Sequence, residues 1–436
     1  MLGGTRSAAD RWREETLRYV ARVNAFVARG EASDWEDAGP DPRDTRDRDL
    51  AEKILDELRA ANRSGRWREL RAEMPPAHAP FVPWLEERAL PMTHVVWVDD
   101  QRVAATSGSP WTTEITRVYD LEGQATLLPD VAFVSRSMDG EIFARVGLRT
   151  MTLHRGFDGP PVLELELPPG DLGVPGGIPD AKEHPILGVT PLSSADGALV
   201  LSHSGVFLVR ASEQRRLFPT PEGMDELTTE AEREGESPAL YFDMIHAALS
   251  PSEKLVALGH QDSGHLLISL DGEIRGVFGP IESSYPHHAT FSPDGTRAYF
   301  NSCHFYNGAT VGANVADLVG IELDPYEEDE RIHLVEDEAR VYASCLRGDD
   351  IYLGDAYGYV RVRAPEGRDL GRHFVGSTVE GLDMSPDGAH LAVGTAAGFL
   401  SVIELGAGRP DHQIGNLPHR ERIRYIQWKN ESLLRW

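Results

Sequence analysis

The sequence is poor in cysteine, in basic residues and in long apolar segments. Its two cysteines, Cys303 and Cys345, are too few for a disulfide framework and form no Cys-x-x-Cys pair. No apolar run reaches the roughly 18 residues that a membrane-spanning helix needs. The first ten residues lack the apolar stretch of a secretory signal. We therefore expect a cytoplasmic protein with reduced thiols.

Positive charge is scarce relative to negative charge. The 436 residues include 43 Lys and Arg against 70 Asp and Glu, which gives a formal net charge of −27 at pH 7. Such a polyanion repels nucleic-acid phosphates and anionic lipid, so we expect neither nucleic acid nor membrane as a partner. Hydrophobic residues make up 41% of the chain, which is enough for a large core and excludes a disordered chain.

Sequence signatures of common active sites are also missing. The chain contains no phosphate-binding Gly-x-x-x-x-Gly-Lys loop, no His-Glu-x-x-His, no Gly-x-Ser-x-Gly elbow and no strand-linked Gly-x-Gly-x-x-Gly. This absence favours a binding protein over an enzyme, and no catalytic residue is predicted.

The N-terminal part has helical periodicity. Residues 7 to 29 place their apolar side chains on one helical face, and Ser7 is a candidate N-cap. A second amphipathic pattern starts at Leu50. Five prolines between residues 75 and 91 withhold backbone donors and predict no regular helix there. We therefore predict a helical region with a proline-rich linker over residues 1–90, whose apolar face packs on the rest of the chain or recruits a partner.

From His94 onward the pattern changes to short apolar runs separated by turn pairs, which is typical of successive antiparallel strands. One tight turn recurs with the pattern Ser-x-Asp-Gly. Its four occurrences are Ser137–Gly140, Ser194–Gly197, Ser292–Gly295 and Ser385–Gly388. Together with four looser versions they mark eight turns, and the shorter steps between them, 38 to 43 residues, match a four-stranded propeller blade of roughly 40 to 45 residues.

The longer steps indicate insertions within blades. We assign these insertions to Pro168–Pro185, Pro221–Pro238 and Asn301–Asp317, the last lying between a strand at Arg297–Phe300 and one at Val319–Leu323. The acidic runs Glu222–Glu236 and Asp324–Glu330 lack a calcium-loop pattern and are interpreted as solvated loops.

The eight turns do not require eight blades. The last segment, residues 422–436, offers only two strands and needs partners, and the first β segment, residues 94–128, can supply them. We therefore predict an all-β fold, a seven-bladed β-propeller over residues 91–436, in which a composite blade of first and last strands closes the ring. Eight blades are the alternative.

The Ser-x-Asp-Gly turns, their spacing and strand ends such as Val118-Tyr119-Asp120-Leu121 make residues 94–436 resemble the WD-repeat and related bacterial propeller families. The resemblance implies a propeller and is nearly silent on function. No repeat carries the Trp-Asp pair that gives the WD-repeat family its name.

Alignment of the repeats brings polar residues to one face of the ring. The connections from strand b to strand c align His203, His260, Asp355 and Thr395, with Cys303 or His304 in the intervening blade, and the starts of strand a align His246 with His288. In a propeller these connections emerge on the same face. The predicted binding residues on this face are His203, His246, His260, His287, His288, His304, Tyr306, Asp355 and Tyr357.

Three interpretations of these residues stay open. Imidazole and carboxylate groups suit a transition metal such as zinc or copper, with His246, His260, His288, His304 and Asp355 as candidate ligands. Alternatively the histidines bond neighbouring backbone carbonyls and only support the blades. The third interpretation is recognition of a ligand or partner without a metal.

The aromatic segment Ser302–Gly312 favours recognition, because binding residues concentrate on long loops of rigid scaffolds. The alternative is that Phe305 and Tyr306 plug the channel. The sequence as a whole predicts a protein–protein interaction scaffold, whose protein or peptide partner binds this face. The alternative function is a metal-dependent enzyme or small-ligand sensor that uses the histidine cluster.

Overall fold

The computed structural model describes residues 7–33, 35–109, 114–172, 185–234 and 240–436. Four helices and one short 3-10 turn precede the strands. They are α1 (Ala8–Ala32), α2 (Arg48–Ser64), α3 (Trp67–Glu73), the 3-10 turn Ala79–Phe81 and α4 (Val82–Arg88).

Seven small sheets follow in a ring, and each is one blade with antiparallel strands a to d in chain order. Blade 1 contains β1 (Met92–Trp97), β2 (Arg102–Ser107), β3 (Ile115–Asp120) and β4 (Ala125–Leu127). Blade 2 contains β5 (Phe133–Arg136), β6 (Ile142–Val146), β7 (Thr150–Arg155) and β8 (Pro161–Glu166). Blade 3 contains β9 (Ile186–Pro191), β10 (Gly197–Ser202), β11 (Gly205–Arg210) and β12 (Glu213–Phe218).

The next blades carry additional elements. Helix α5 (Pro221–Glu234) precedes blade 4, which contains β13 (His246–Leu249), β14 (Leu255–Gly259), β15 (His265–Ser269) and β16 (Ile274–Phe278). Blade 5 contains β17 (Tyr285–Phe291), β18 (Arg297–His304), β19 (Asn307–Asn314) and β21 (Ile332–Glu336), with α6 (Val315–Leu318) and β20 (Glu322–Leu323) before its last strand. Strand β20 pairs in parallel with β16 of blade 4.

Blades 6 and 7 complete the ring. Blade 6 contains β22 (Val341–Arg347), β23 (Asp350–Asp355), β24 (Tyr359–Arg363) and β25 (Asp369–Phe374). Blade 7 contains β26 (Val379–Met384), β27 (His390–Thr395), β28 (Phe399–Glu404), β29 (Arg420–Ile426) and β30 (Leu434–Arg435). None of the helices among these described residues is long and apolar enough to cross a membrane.

The recurring Ser-x-Asp-Gly segments form the hairpins between strands a and b. In blade 5, the Ser292 hydroxyl donates to Asp294 Oδ1 at 2.6 Å and accepts from the backbone N–H of Arg297 at 2.9 Å. Asp294 Oδ1 also accepts from the backbone N–H of Thr296, and Gly295 supplies the required positive φ of 70°. The same bonds recur in blades 2 and 7. Because these bonds are local, the hairpin follows directly from the sequence.

The seven-bladed propeller is confirmed, but the predicted composite blade is wrong. The first β segment forms a complete four-stranded blade by itself, and the last strands belong to a single five-stranded sheet. Strand β29 is the fourth strand of blade 7, and the eighth turn only joins it to the short strand β30. The prediction failed because it ended blade 7 at strand c and left β29 without its partner β28.

Side chains rather than a shared sheet hold the first and last blades together. Trp97 of β1 donates its backbone N–H to a carboxylate oxygen of Asp383 in β26 at 2.7 Å, and its indole N–H to the Asp383 carbonyl at 3.1 Å. Arg136 of blade 2 pairs with the same carboxylate at 2.8 Å. One half-buried aspartate thus links blades 7, 1 and 2.

The two predicted N-terminal helices are confirmed. The Ser7 hydroxyl accepts from the backbone N–H of Asp10 and caps α1, while Gly65 ends α2 in the left-handed conformation with φ 75°. The proline-rich segment was predicted to lack regular helix, yet it forms α4. Pro83 lies in the first turn of α4, where a missing N–H costs no helical bond.

The helical region packs on blade 7. Trp12 stacks on Trp436 with 6.1 Å between ring centroids, and its indole N–H donates to the carbonyl of Pro75 at 2.9 Å. The Asn62 side chain exchanges two hydrogen bonds with the backbone of Arg435 and so covers part of the edge of β30. The apolar face of α1 is therefore buried, at least in part, against the propeller of the same chain.

Two predicted loops have regular structure. The acidic run that starts at Glu222 forms α5 up to Glu234, and Met224 of this helix is buried in the core of blades 3 and 4. The predicted insertion in blade 5 is a long hairpin, in which β18 and β19 pair from Arg297–Asn314 to His304–Asn307. Most of the predicted insertion at residues 168–185 lies outside the described residues.

Candidate functional site

The candidate site lies on one face of the ring, which we call the loop face. It is the face at which strands a begin and strands b end, and it carries the b-to-c turns and the d-to-a connections. The helical region covers this face at blade 7, where Trp428 donates its indole N–H to the carbonyl of Ala397 in the b-to-c turn and both side chains are buried against the helices. The candidate residues all belong to blades 3 to 6.

His203 occupies the b-to-c turn of blade 3. Its ring stacks on the ring of Tyr241 with centroids 4.5 Å apart, and its Nδ1 lies 3.1 Å from the carbonyl oxygen of Phe242. Tyr241 comes from the connection that leads to blade 4 and is exposed to solvent. The pair forms one aromatic patch on the loop face.

His246 and His260 are structural members of blade 4. Nδ1 of the buried His246 lies 3.0 Å from the carbonyl of Met244, and burial lowers the pKa of His246 to about 3. His260 packs against Phe218 and Phe242 at 5.6 and 4.9 Å between centroids, and burial also lowers its pKa. Both imidazoles are therefore uncharged at neutral pH.

His287 is held in one tautomer by its neighbours. Its Nε2 accepts from Arg340, with 3.1 Å to Nε and 2.9 Å to Nη2, and its Nδ1 lies 2.7 Å from the carbonyl of Val341. Because a guanidinium can only donate, Nδ1 must carry the proton. Burial and Arg340 lower the pKa of His287 to about 3. His288 lies 2.8 Å, through Nε2, from the hydroxyl of Ser344.

The tip of the blade 5 hairpin presents two strongly exposed aromatic side chains on this face. Phe305 and Tyr306 form the two-residue turn between β18 and β19, with Phe305 at a φ of 56°. Their side chains are 77% and 61% exposed. The alternative that these two rings plug the channel is therefore wrong. The rings of Tyr306 and Tyr357 lie 6.0 Å apart, so Tyr357 of blade 6 extends the same patch.

Arg340 and Tyr357 brace this hairpin from blade 6. Arg340 donates its backbone N–H to the carbonyl of Tyr306 at 3.1 Å and Nη1 to the carbonyl of Phe305 at 3.3 Å. The Tyr357 hydroxyl donates to Asn307 Oδ1 at 2.5 Å. These contacts hold the aromatic tip against the neighbouring blade although its rings face solvent.

Asp355 organises the b-to-c turn of blade 6 from inside. Its carboxylate accepts from the backbone N–H groups of Tyr357 and Tyr359 at 2.9 and 2.8 Å and from Arg361 Nε at 2.7 Å. The residue is fully buried. Its acceptors are occupied by these donors, so Asp355 shapes the turn that presents Tyr357 rather than facing a ligand.

The predicted metal site does not form within the described residues. No group of three or more His, Cys, Asp or Glu side chains in that part of the chain is arranged to hold a metal ion. The five predicted ligands have separate neighbours, and His304 stacks against Tyr285 and contacts Phe305. They fail to converge because each side chain is held by its own set of partners, such as Ser344 for His288 and Phe218 for His260.

Comparison with known proteins adds no assignment, since no protein-family model and no curated protein matches the chain. The loop-face residues must therefore be interpreted from their chemistry. Sequence reasoning placed His203, His304, Tyr306 and Tyr357 on this face, and their role in binding stays a prediction. It missed Arg340 and Tyr241, because neither residue occupies one of the aligned repeat positions.

Proposed function

We propose that this protein is a cytoplasmic interaction scaffold whose loop face binds a protein or peptide partner. The observation that carries the proposal is the exposed aromatic patch of Phe305, Tyr306 and Tyr357, braced by Arg340. The Ser-x-Asp-Gly turns support a relation to the bacterial WD-repeat-like propellers, which belongs to the same proposal.

The chemistry of the patch suits a protein surface. Tyrosine and arginine are enriched among the residues that dominate binding energy, and aromatic rings combine a large apolar area with low side-chain entropy. Full burial of an apolar ring such as that of Phe305 contributes roughly 1.5–3 kcal/mol. The net charge of −27 disfavours nucleic acid and anionic lipid as the occupant.

The part of the loop face that the helical region does not cover also suits the binding of a partner. The helical region occupies the loop face at blade 7, whereas the aromatic side chains rise from blades 5 and 6. Loops that project from a rigid scaffold can be presented to a partner without a large cost in conformational entropy. A partner that buries these rings therefore gains most of their apolar area.

The test is affinity capture with the full chain from lysate of the source organism. The double variant Phe305→Ala/Tyr306→Ala is compared with the control Met138→Ala/Val162→Ala, which removes exposed side chains from an a-to-b turn and an outer strand of blade 2. We expect the wild type and the control variant to capture the same protein reproducibly. The affinity of that protein for the Phe305→Ala/Tyr306→Ala variant is expected to be at least tenfold lower. Equal retention by both variants, or no retention by the wild type, contradicts the proposal.

A further inference from the structure

A cavity of about 320 Å³ lies between α1 and blades 6 and 7. Its apolar walls come from one face of α1, from two strands of blade 6 and from the loop between β28 and β29. These wall residues include Val23, Phe26, Val27, Tyr359, Phe374 and Ile414. The volume falls in the range of small-molecule pockets, roughly 300–1,000 Å³. The cavity is separate from the aromatic patch of blades 5 and 6.

The cavity is also lined by polar groups without protein partners. Within the described ranges, the side chains of Tyr19, His78, Tyr359 and His412 line it and make no hydrogen bond to another residue. Each of these side chains is half-buried, and polar groups that lack a protein partner bond to what fills the adjacent space. By contrast, His287 on the loop face bonds through both ring nitrogens. The cavity thus offers hydrogen bonds that the fold itself does not use.

The positive charges that line the cavity are paired with carboxylates. Of the two arginines among the described wall residues, Arg46 pairs with Asp44 at 2.6 Å and Arg424 pairs with Glu421 at 2.7 Å. The exposed Asp41 carboxylate stands at the edge and repels anions. The two imidazoles add no positive charge at neutral pH, because burial lowers the pKa of both, that of His78 to about 4.

We propose that this cavity binds an uncharged, flat and mostly apolar small molecule that carries one or two hydrogen-bonding groups. Aromatic side chains from α1 and blade 6 offer ring faces and edges to a planar ligand. The unpaired hydroxyls and imidazoles offer hydrogen bonds that fix its orientation. An acid is disfavoured, since both arginines among the described wall residues already pair with carboxylates. This proposal does not depend on whether the aromatic patch of the loop face binds a partner.

The test measures binding of a fluorescent probe to the full chain. Phenylnaphthylamine is an uncharged planar dye with one N–H donor, and its sulfonated analogue has the same ring system with a negative charge. We expect saturable fluorescence enhancement with the uncharged dye and at least tenfold weaker binding of the sulfonated one. Val23→Trp, which fills the cavity, is expected to weaken binding at least tenfold. Val162→Trp, an equal enlargement on blade 2, is expected to leave it unchanged.

Three outcomes overturn the proposal. They are no saturable binding by the wild type, equal binding by Val23→Trp, and equal or tighter binding of the sulfonated dye, which refutes the ligand class. Circular dichroism confirms that each variant is folded. If Val23→Trp does not fold, Val27→Phe replaces it, because this change adds less bulk to the same wall. Val27→Phe is expected to weaken binding of the uncharged dye at least threefold. Unchanged binding by Val27→Phe also overturns the proposal.

Discussion

Glu421 is expected to make the attachment of the helical region to blade 7 sensitive to acid. Its carboxylate is buried in β29, where Oε1 lies 3.1 Å from Nη1 of Arg71 in α3 and Oε2 lies 2.7 Å from Nη2 of Arg424. The Ser401 hydroxyl donates to Oε2 at 2.9 Å. Protonation of Glu421 removes the charge that both arginines face.

The size of the effect follows from the pKa of Glu421. The arginines Arg424 and Arg71, together with hydrogen bonds, outweigh burial and lower this pKa from 4.5 to about 2. At about 1.36 kcal/mol per pKa unit, the ionised carboxylate contributes on the order of 3 kcal/mol to stability at neutral pH. Because the pKa is depressed, this contribution is present above pH 4.5 and is lost as the pH falls toward 2. Burial lowers the pKa of Arg71, but arginine stays charged throughout this window.

The assay is urea unfolding of the wild type and Glu421→Gln at pH 7 and pH 3.5. We expect the variant to be less stable at pH 7 by about 3 kcal/mol or more, because two buried arginines lose their partner. At pH 3.5 the difference is expected to be about 1.4 kcal/mol smaller. Glu122→Gln, in an exposed ion pair with Arg68, is the control and is expected to differ little from the wild type at both pH values. A difference for Glu421→Gln that does not change with pH refutes the reasoning.

Two further substitutions test packing between the helices and the ring. Trp12→Ala is expected to lower the free energy of unfolding by about 3–5 kcal/mol in urea, because it empties a fully buried site, and a loss below about 1 kcal/mol contradicts this. Gly376→Ala is expected to lower the melting temperature more than Gly65→Ala. Both glycines have positive φ, but only at Gly376 does a new Cβ come within 2.6 Å of a side chain, that of His78. Equal losses contradict a contribution from this contact.

The parts of the fold that depend on local chemistry could be predicted from the sequence. The Ser292–Gly295 turn uses hydrogen bonds that span at most five residues, so its pattern reveals the hairpin and, by repetition, the propeller. The capped helices α1 and α2 were predictable for the same reason. Closure of the ring was not, because the pairing of β29 with β28 spans a long connection that no local pattern marks.

The acidic composition of one segment led to a wrong prediction, because its charged residues obscure a helical periodicity. The acidic segment at residues 221–234 forms a helix because Met224 and Leu227 face the core one turn apart, which the surrounding glutamates obscure. At the site, alignment of the repeats within the chain placed the histidines on the loop face, but it could not show which atoms they contact. Tautomers and partners such as those of His287 depend on neighbouring blades, and these contacts connect residues more than fifty positions apart.

The helical region contacts the edge of the ring and also forms one wall of the cavity. The ring lacks a composite blade, so the outer edge of blade 7 depends on contacts such as the pair of Arg59 with Glu431, at 2.9 Å between Nη2 and Oε2. The same docking places α1 over blades 6 and 7 and thereby forms one wall of the cavity. A ligand there binds only when α1 is in place, so it must stabilise the docked state. At 100 times its Kd this linkage amounts to about 2.7 kcal/mol, comparable to the contribution of Glu421.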